Sequence, residues 1–504
     1  MPTPDSQSPY EPPQVESGPG ADQVGQSSPR TPQSSISLTQ YAAYATGMFV
    51  NNLQAGALPA MMICLNLGLG MDPVLVGWIG FIPRIFDAVS DPMIGFISDN
   101  ARTRWGRRRP FIFIGAILAG LVFMAMWQLP RGHSESFYFW TFLTGLVLFF
   151  LTYTVYATPF VAFGYEMTDD YHQRTRLHAV ANTIGQIAWL IVPWFWWIMT
   201  SDVFEDSVQG ASVLGYCVGG GIILMGVVPA IFCREKTLAI VNTEPAGNKL
   251  SGLVQNTKEF FGGIVTTLKC KPFVKLCAAT YLVFNGYQLG VSFSLYCMIY
   301  YVFGGGDGAD SAAGGLNGRW GTLTAVCTLA VIPLTALISE KLGKRRTFLI
   351  TISLSIVGYA MKWIGYNPEH PNWLLASCPF VAFGTGSLFT LMGSMISDVC
   401  DYDELHSHDR REGIFGAIYW WMVKVGMAIA GLMTGYLLNL SGFDVELGAD
   451  QSEQTLFWLR SFDVVIPIVT SLLAIAIMWT YRLSESEANS IRTQLEERRG
   501  KLGT

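Results

Sequence analysis

The chain has 504 residues, of which 51% are hydrophobic and only 14% are charged. This balance is more apolar than that of soluble domains, and the apolar residues come in runs long enough to cross a bilayer, which argues against a large soluble enzyme. The formal net charge of −5 carries little information, because the positions of the charges matter more in a membrane protein. The nine cysteines are scattered, without the spacing typical of a metal site or a disulfide framework.

Twelve apolar spans predict an all-α membrane protein. The segment before them, residues 1–37, is rich in Pro, Ser, Gln and Gly, so we expect a disordered tail. We predict six-helix bundles over 38–233 and 273–483, a cytoplasmic linker over 234–272 and a cytoplasmic tail over 484–504. The linker is either an amphipathic helix on the membrane surface or a plain connection. The predicted spans are 38–67, 73–98, 110–129, 137–164, 177–200, 212–233, 274–303, 320–339, 346–366, 373–398, 414–440 and 460–482.

Basic residues set the predicted orientation, because Lys and Arg are enriched in cytoplasmic loops. The loop after span 2 reads DNARTRWGRRRP, and the loop after span 8 reads EKLGKRR. The intervening loops carry acidic residues instead, such as Asp202, Glu205 and Asp206. We therefore expect a multi-pass protein of the cell (inner) membrane with both termini in the cytoplasm.

Two aspartates, Asp87 and Asp91, lie inside the second span, where a bare charge costs roughly 2.5–3.5 kcal/mol. With Arg84 they share one helix face, because positions i, i+3 and i+7 project the same way. They lie about 18 and 12 Å from the cytoplasmic end of the span, which is near the middle of the bilayer. We interpret them as a cation or proton site; the alternative is a structural charge network with Arg84.

A lysine, Lys424, lies deep in span 11. A lysine at this depth requires a carboxylate partner or a depressed pKa, and Asp87 and Asp91 are the acids predicted at a similar depth. Spans 2 and 11 belong to different halves, so we predict a Lys–Asp pair between the halves that a cation breaks. The alternative is that Lys424 extends to the membrane interface.

Several polar and aromatic residues of the spans are candidates for the substrate pocket, since amides bind hydroxyls and aromatic faces cover C–H surfaces. Each also has an ordinary interpretation as an interhelical hydrogen bond or an interfacial anchor. The candidates are Asn51, Gln54, Tyr153, Tyr156, Asn182, Gln186, Asn285, Gln288 and Trp420.

Charged residues at the predicted cytoplasmic ends are candidates for a gate that closes this side of the molecule. We expect the first-half basic residues to pair with Glu166 or its neighbours, and the second-half acids to pair with Arg410 or Arg411. As a network such pairs bias a two-state equilibrium, although positive-inside topology also explains many of the arginines. The candidates are Asp99, Arg107, Arg108, Glu166, Asp398, Asp401, Arg410 and Arg411.

The halves of the chain resemble each other, and the motifs resemble a known family. WGRRRPF after span 2 parallels LGKRRTF after span 8, and six-plus-six spans with such turns resemble the major facilitator fold. The string RIFDAVSDPMIGFISDNARTRWGRRRPF, with TYTVYATPF in span 4 and SDVCDYDE before the span 11 lysine, resembles the glycoside–pentoside–hexuronide:cation symporters, the melibiose-permease family. The resemblance extends over about residues 40–482.

This resemblance implies a cation site and a coupling lysine. It assigns the cation ligands to Asp87, Asp91, Thr154 and a polar position that is Ser90 here and Asn in melibiose permease. It assigns coupling to Lys424, and we add Arg84. The positions that hold galactosides in melibiose permease are Asn51, Ala157 and Val161 here, so two carboxylates and an aromatic platform are missing. The resemblance therefore implies another sugar, a uronide or sugar acid, or a less polar substrate.

We predict a symporter, not an enzyme, that couples Na⁺ or H⁺ to uptake of a sugar, glycoside or sugar acid by alternating access. No other cofactor or metal is expected. The partners are the small-molecule substrate and the bilayer; we expect a monomer and no nucleic acid. The alternatives are a transporter of lysolipids or other amphiphiles and a non-transporting membrane sensor or scaffold.

Overall fold

The computed structural model of the protein describes residues 36–168, 170–235, 262–263, 267–407, 411–481, 483 and 485–502. Every regular element in these ranges is helical. Most of the predicted tail at 1–37 and most of the predicted linker at 234–272 lie outside the described residues.

In the described residues, the first half of the chain forms eight α-helices and one 3₁₀ turn. The first four are α1 (Leu38–Leu67), α2 (Pro73–Asp99), α3 (Arg109–Met126) and α4 (Glu135–Glu166). They are followed by α5 (Tyr171–Ile191), a 3₁₀ turn (Val192–Trp194), α6 (Phe195–Met199), α7 (Ser207–Gly226) and α8 (Val228–Phe232).

The second half begins with α9 (Lys271–Tyr296), which continues as a π-helical turn over Cys297–Val302. It continues with α10 (Ala309–Leu342), α11 (Lys344–Gly365), a 3₁₀ turn (Pro371–Ser377), α12 (Cys378–Ser407), α13 (Glu412–Leu440), a 3₁₀ turn (Val445–Asp450) and α14 (Glu453–Trp479). A last helix, α15 (Glu485–Leu502), follows in the segment that we had predicted only as a tail.

Eleven helical segments of the described chain are long and apolar enough to cross a membrane. The predicted span 177–200 is absent from this set, because α5 is rich in polar residues and a 3₁₀ turn at Pro193 separates it from α6. Nevertheless, α5 packs along α1, and α5 and α6 both contact α10. The fifth span is therefore a broken, polar helix that packs on one side against α1 and α10, a feature tolerated where part of a helix faces protein rather than lipid.

The predicted start of the eighth span, at residue 320, is wrong. Helix α10 begins at Ala309, after Gly308 in a left-handed conformation (φ 76°). Its first turns are rich in Ala and Gly, which lowers their hydropathy but allows close packing. A Cβ at Gly314 would lie 2.7 Å from the Trp197 backbone, and one at Gly318 would lie 2.5 Å from the Trp194 ring. The small residues therefore allow the first turns of α10 to pack closely against the other half.

The two halves meet along two pairs of helices, α2 with α13 and α5–α6 with α10. We call the side that carries the 100–108 loop the Arg-rich side and the opposite side the acidic-loop side. On the acidic-loop side the halves touch directly: Tyr296 donates to Asn66 over 2.9 Å, and Asn439 donates to Asp72 over 2.9 Å.

The α2–α13 contact is closest at glycines. A Cβ at Gly77 would lie 3.0 Å from the Cα of Leu432, and a Cβ at Gly435 would collide with the carbonyl oxygen of Pro73. Small residues at both positions allow the two backbones to approach, as is common where membrane helices pack tightly. The molecule is therefore closed toward the acidic-loop side.

Candidate functional site

Helix α2 presents the charged residues of the candidate site. The helix starts at Pro73, where Asp72 accepts a hydrogen bond from the Val74 backbone and caps it. Because the helix continues through Pro83 and Pro92, the side chains of residues 84, 87 and 91 project from one face. Asp87 is buried, and Asp91 lies beside it.

The ammonium group of Lys424, on α13, contacts both aspartates of α2. It lies 3.0 Å from Oδ2 of Asp87 and closer still to Oδ2 of Asp91. The Asp87 side chain is 0% exposed, whereas those of Asp91 and Lys424 are 32% and 28% exposed, so one edge of the cluster remains accessible. An ion pair thus connects the two halves of the molecule near the middle of α2.

Helix α4 completes this cluster with hydroxyl groups. Oγ1 of Thr154 lies 2.9 Å from Oδ1 of Asp87 and 3.1 Å from Oδ1 of Asp91, and Thr158 donates to Asp91 over 3.4 Å. Ser90 lies 3.4 Å from Thr154 and donates to the Asp87 backbone carbonyl, so it touches the cluster without contacting a carboxylate. The result is a cage of oxygen atoms around two carboxylates, closed by one ammonium group.

Arg84 lies beside this cluster rather than within it. Its guanidinium stacks over the Phe150 ring, 4.4 Å from the ring centre, a cation–π contact. Among the described residues no carboxylate forms an ion pair with it, so the described ion pairs of Asp87 and Asp91 are with Lys424 rather than with Arg84.

A cavity of about 200 Å³ lies between the halves, on the acidic-loop side of the carboxylate cluster. Helices α1, α2 and α4 form one wall, and α9 and α13 form the other. Most of the lining is apolar or glycine, and Arg84, Asn66, Gln288, Ser292, Tyr296 and Thr434 contribute polar groups. Of the nine residues predicted for the substrate pocket, Gln288 lines this cavity.

Three of the other pocket candidates lie on α1 and α4 in the first half, outside the described lining of the cavity. Tyr153 donates a hydrogen bond to Oδ1 of Asn51 over 3.2 Å. Gln54, one turn further along α1, is 1% exposed, and neither atom of its amide has a hydrogen-bond partner among the described residues. Such a group costs about 1–3 kcal/mol when left unpaired.

The remaining candidates lie away from the cavity lining. Contrary to our expectation, Tyr156 is 0% exposed and donates to the Gly47 carbonyl, so its hydroxyl holds α4 against α1. Asn285 donates to the Tyr281 carbonyl and packs against Gly426. Trp420 is exposed and stacks on Phe389; Asn182 is exposed, and Gln186 is partly exposed.

In the first half, the candidate gate residues form ion pairs on the Arg-rich side. Arg107 lies 2.7 Å from Glu166, and Arg108 lies 2.6 Å from Asp99 and 3.0 Å from Glu166. Glu235 accepts a hydrogen bond from the Arg107 backbone over 2.7 Å. These pairs tie the 100–108 loop to α4 within one bundle.

In the second half, the gate residues have partners different from those we predicted. Asp398 pairs with Lys344 at 2.6 Å and with Arg492 of α15 at 2.8 Å. Asp401 also pairs with Arg492, at 3.2 Å. Arg411 pairs with Asp403 at 2.8 Å, and Arg410 lies outside the described residues. Helix α15 therefore takes the place predicted for Arg410 and Arg411.

A second buried ion pair was not predicted. Lys362 of α11 lies 2.5 Å from Asp463 of α14, and their side chains are 2% and 0% exposed. Ser294 of α9 donates to Asp463 over 2.8 Å, so the cluster joins three helices of one half. The rule that identified Asp87 and Lys424 would have found it, because both charges fall inside the predicted spans 346–366 and 460–482.

The arrangement of two helical bundles is that of the major facilitator transporters, and solved structures of this fold are similar to the chain. The nucleoside transporter NupG has a TM-score of 0.60 at 13% identity, covering 88% of this chain and 100% of that one. A D-xylose–proton symporter has a TM-score of 0.57 at 13% identity, covering 88% and 96%. The predicted all-α major facilitator fold is confirmed.

A family described as MFS/sugar transport protein matches residues 43–485, and the chain belongs to it. A glucuronide carrier protein homolog of Escherichia coli (strain K12) is 23% identical over 478 residues, covering 92% of this chain and 96% of that protein. An isoprimeverose transporter of Lactiplantibacillus pentosus is 24% identical, covering 88% of each. The resemblance to the glycoside–pentoside–hexuronide:cation symporters is confirmed, and the chain is a multi-pass membrane transporter, not an enzyme.

Proposed function

We propose that the protein couples a small monovalent cation to the transport of a sugar-type solute. The observation that carries this proposal is the contact of Lys424, from one half, with Asp87 and Asp91, from the other. A cation that binds these carboxylates competes with the ammonium group for the same oxygens. Binding therefore changes how the two halves are held together, which is the requirement for coupling.

The hydroxyl of Thr154 supports a cation at this position. A hydroxyl group carries one proton and donates one hydrogen bond at a time. Its oxygen nevertheless lies within 3.1 Å of a carboxylate oxygen from each aspartate. Na⁺ bound there would be coordinated by all three oxygens. A proton on one carboxylate would instead supply the second hydrogen-bond donor that two such short oxygen–oxygen distances require. Ser90 is the fourth ligand in the proposal.

In the proposed cycle, the cation binds first and frees Lys424, and the solute then binds between the halves. The two bundles rock to expose the site on the other side. We assign the Arg-rich side to the cytoplasm, together with both termini, because Lys and Arg concentrate there. The pairs of Arg107, Arg108 and Asp398 would then be remade between the bundles when the cytoplasmic side closes.

The size of the cavity supports a small solute rather than a lipid. Its volume of about 200 Å³ is below the roughly 300–1,000 Å³ of sites for drug-sized ligands. The lysolipid alternative calls for a larger pocket that opens sideways to the bilayer, and the sensor alternative needs no cavity between the halves. The names of the two relatives likewise refer to sugars.

The test is uptake of radiolabelled sugars by the purified protein in liposomes, with a Na⁺ gradient or a pH gradient imposed in turn. We expect one gradient to drive accumulation, and Asp91→Asn to abolish the dependence on that gradient. Asp202→Asn, at an exposed position of an acidic loop, is the matched control and should behave as the unaltered protein does. Accumulation that persists without either gradient, or in Asp91→Asn, would contradict coupling.

A further inference from the structure

A cavity of about 570 Å³ lies between the first turns of α1 and α5, apart from the cavity between the halves. We call it the α1–α5 groove. Most of its lining is apolar or small, and it includes the exposed side chains of Leu38, Val180 and Ile184. Arg176 is the only charged residue among the described residues that line it. The groove is therefore an apolar channel that carries one cation.

The groove opens toward the bilayer rather than toward the second half. Helix α5 leads to the second half at Pro193, where a Cβ at Gly321 of α10 would lie 2.5 Å from the proline ring. Gln186, seven residues earlier, projects from the same face as Pro193. Ile184 is two residues from Gln186, so the two side chains project about 160° apart. The groove thus lies on the flank of α5 that faces away from the second half.

Arg176 lies at the end of the groove nearest the water on the Arg-rich side. Helix α5 begins at Tyr171, close to the end of α4 where Glu166 pairs with the 100–108 loop. Ile184 lies eight residues further, about 12 Å deeper along the helix. Arg176 is exposed and forms no hydrogen bond or ion pair with the described residues. Arginines are common at this level of any membrane protein, but this one stands at the mouth of an apolar groove.

We propose that the α1–α5 groove binds one anionic phospholipid of the cytoplasmic leaflet, with its phosphate at Arg176 and an acyl chain along Val180 and Ile184. Basic pockets between helices on the cytoplasmic side bind anionic headgroups in other membrane proteins, and the guanidinium fork suits phosphate oxygens. The choice of leaflet follows from the orientation proposed above. Because the groove lies on the outer surface of one bundle, this lipid is a bound component of the protein and not its cargo.

The N-terminal segment is the other candidate occupant, because it precedes Ile36, which lines the groove. Its composition argues against this occupant. Residues 1–35 are rich in Pro, Ser, Gln and Gly, and their large apolar side chains are those of Met1, Tyr10, Val15 and Val24. Such a segment has few groups to fill an apolar channel, whereas a phospholipid supplies a hydrocarbon chain and a negative charge in one molecule.

The headgroup test measures lipid retained by the full-length protein in detergent with equal amounts of phosphatidylglycerol and phosphatidylcholine of the same acyl chains. Native mass spectrometry counts the bound lipids. We expect a preference for phosphatidylglycerol of about 5-fold or more, the effect of one arginine at an anionic lipid surface, and its loss in Arg176→Gln. Arg104→Gln, an exposed arginine of the 100–108 loop, is the matched control and should keep the preference. An unchanged preference in Arg176→Gln, or an equal loss in Arg104→Gln, would overturn the site.

The groove test keeps Arg176 and fills the space beside it. Ala42 is exposed and lines the groove, so Ala42→Phe places a ring where the acyl chain lies and should lower the retention of phosphatidylglycerol. Soluble glycerol phosphate in excess should not displace the lipid, because it lacks the chain. Full retention in Ala42→Phe of normal thermal stability, or displacement by glycerol phosphate, would show that Arg176 binds a phosphate without the groove and would contradict the proposal.

A cross-linking experiment identifies the occupant directly. Benzoylphenylalanine at position 180 of the full-length chain is irradiated in vesicles that contain phosphatidylglycerol, and the adducts are mapped by peptide mass spectrometry. We expect adducts with the phospholipid. An adduct with a peptide from residues 1–35 would assign the groove to the N-terminal segment and overturn the lipid proposal.

Discussion

At the scale of single residues, Lys424 and Lys362 are both buried lysines paired with aspartate, but they differ in which parts of the molecule they join. Lys424 and its two aspartates belong to different halves, and one edge of that cluster is accessible. Lys362 and Asp463 belong to the same half and are completely enclosed. The first pair can be opened by moving the halves apart, whereas the second has no such freedom, so we expect it to be structural.

Removing one partner of the enclosed pair should destabilise the protein. Lys362→Met leaves the Asp463 carboxylate buried without its counter-charge, and such a change costs about 3–5 kcal/mol. Replacing both residues, with Lys362→Met and Asp463→Leu together, removes the uncompensated charge and should restore much of the stability. Thermal unfolding of the detergent-solubilised variants measures both effects. A double variant as unstable as the single one would contradict this account.

The sequence was sufficient to predict residues of the Lys424 cluster but not all their neighbours. Two aspartates and a lysine inside apolar spans are conspicuous because a charge in the bilayer costs several kcal/mol of free energy. The helical repeat then placed Arg84 on the same face of α2 as the two aspartates. That Arg84 lines a cavity and stacks on Phe150 depends on how α2, α4 and α13 cross, which one sequence does not specify. Tyr156 illustrates the same limit, because periodicity does not distinguish a hydroxyl that faces a pocket from one that bonds to Gly47.

At the scale of elements, hydropathy predicted the membrane helices well where they face lipid and poorly where they face protein. The polar α5 packs along α1 and α10, and the glycine-rich start of α10 packs against the 3₁₀ turn and α6 that follow α5, so neither needs to be apolar throughout. The predicted tail at 484–504 contains α15, whose sequence is strongly charged. Its apolar stripe is short: Ala488, Ile491 and Leu495 are buried. So short a stripe does not predict a docked helix unless the surface against which it packs is known.

We predict that α15 stabilises the end of α12 on the Arg-rich side. Leu495→Ala removes a side chain that is 2% exposed and should cost about 2 kcal/mol or more of the docking free energy. Hydrogen exchange should become faster in α15 and at residues 398–404, since Arg492 would lose its hold on Asp398. Glu496→Ala, on the exposed face, is the control. Unchanged exchange in both segments would show that α15 docks independently of Leu495.

At the scale of the whole molecule, the described contacts between the halves on the acidic-loop side include direct hydrogen bonds, whereas the described ion pairs on the Arg-rich side stay within a half. This asymmetry defines one of the two states that alternating access requires. The glycines of α2 and α13 make it possible, because they allow the backbones to touch at Gly77 and Gly435.

Adding one methyl group at the closed end should shift the equilibrium between the two states. A Cβ at Gly435 collides with the Pro73 carbonyl, whereas a Cβ at Gly431, one turn away, meets no atom within 4 Å. Gly435→Ala should therefore favour the state that is open toward the acidic-loop side, and Gly431→Ala should not. Distance measurements between spin labels at the exposed positions 133 and 440, one in each half on the acidic-loop side, report the opening. Identical distance distributions in both variants would contradict the prediction that the added methyl group at Gly435 separates α2 from α13.

The contact between Lys424 and the two aspartates also implies an internal competitor. The ammonium group is attached to the same molecule, so it faces the carboxylates at an effective concentration on the order of millimolar or higher, regardless of the medium. In the proposed symport the ion would have to displace this group, so its affinity would be weaker than that of the oxygen cage itself. A carrier without the lysine would then hold its ion more tightly and release it more slowly, so the role of Lys424 in this proposal is to speed release of the ion.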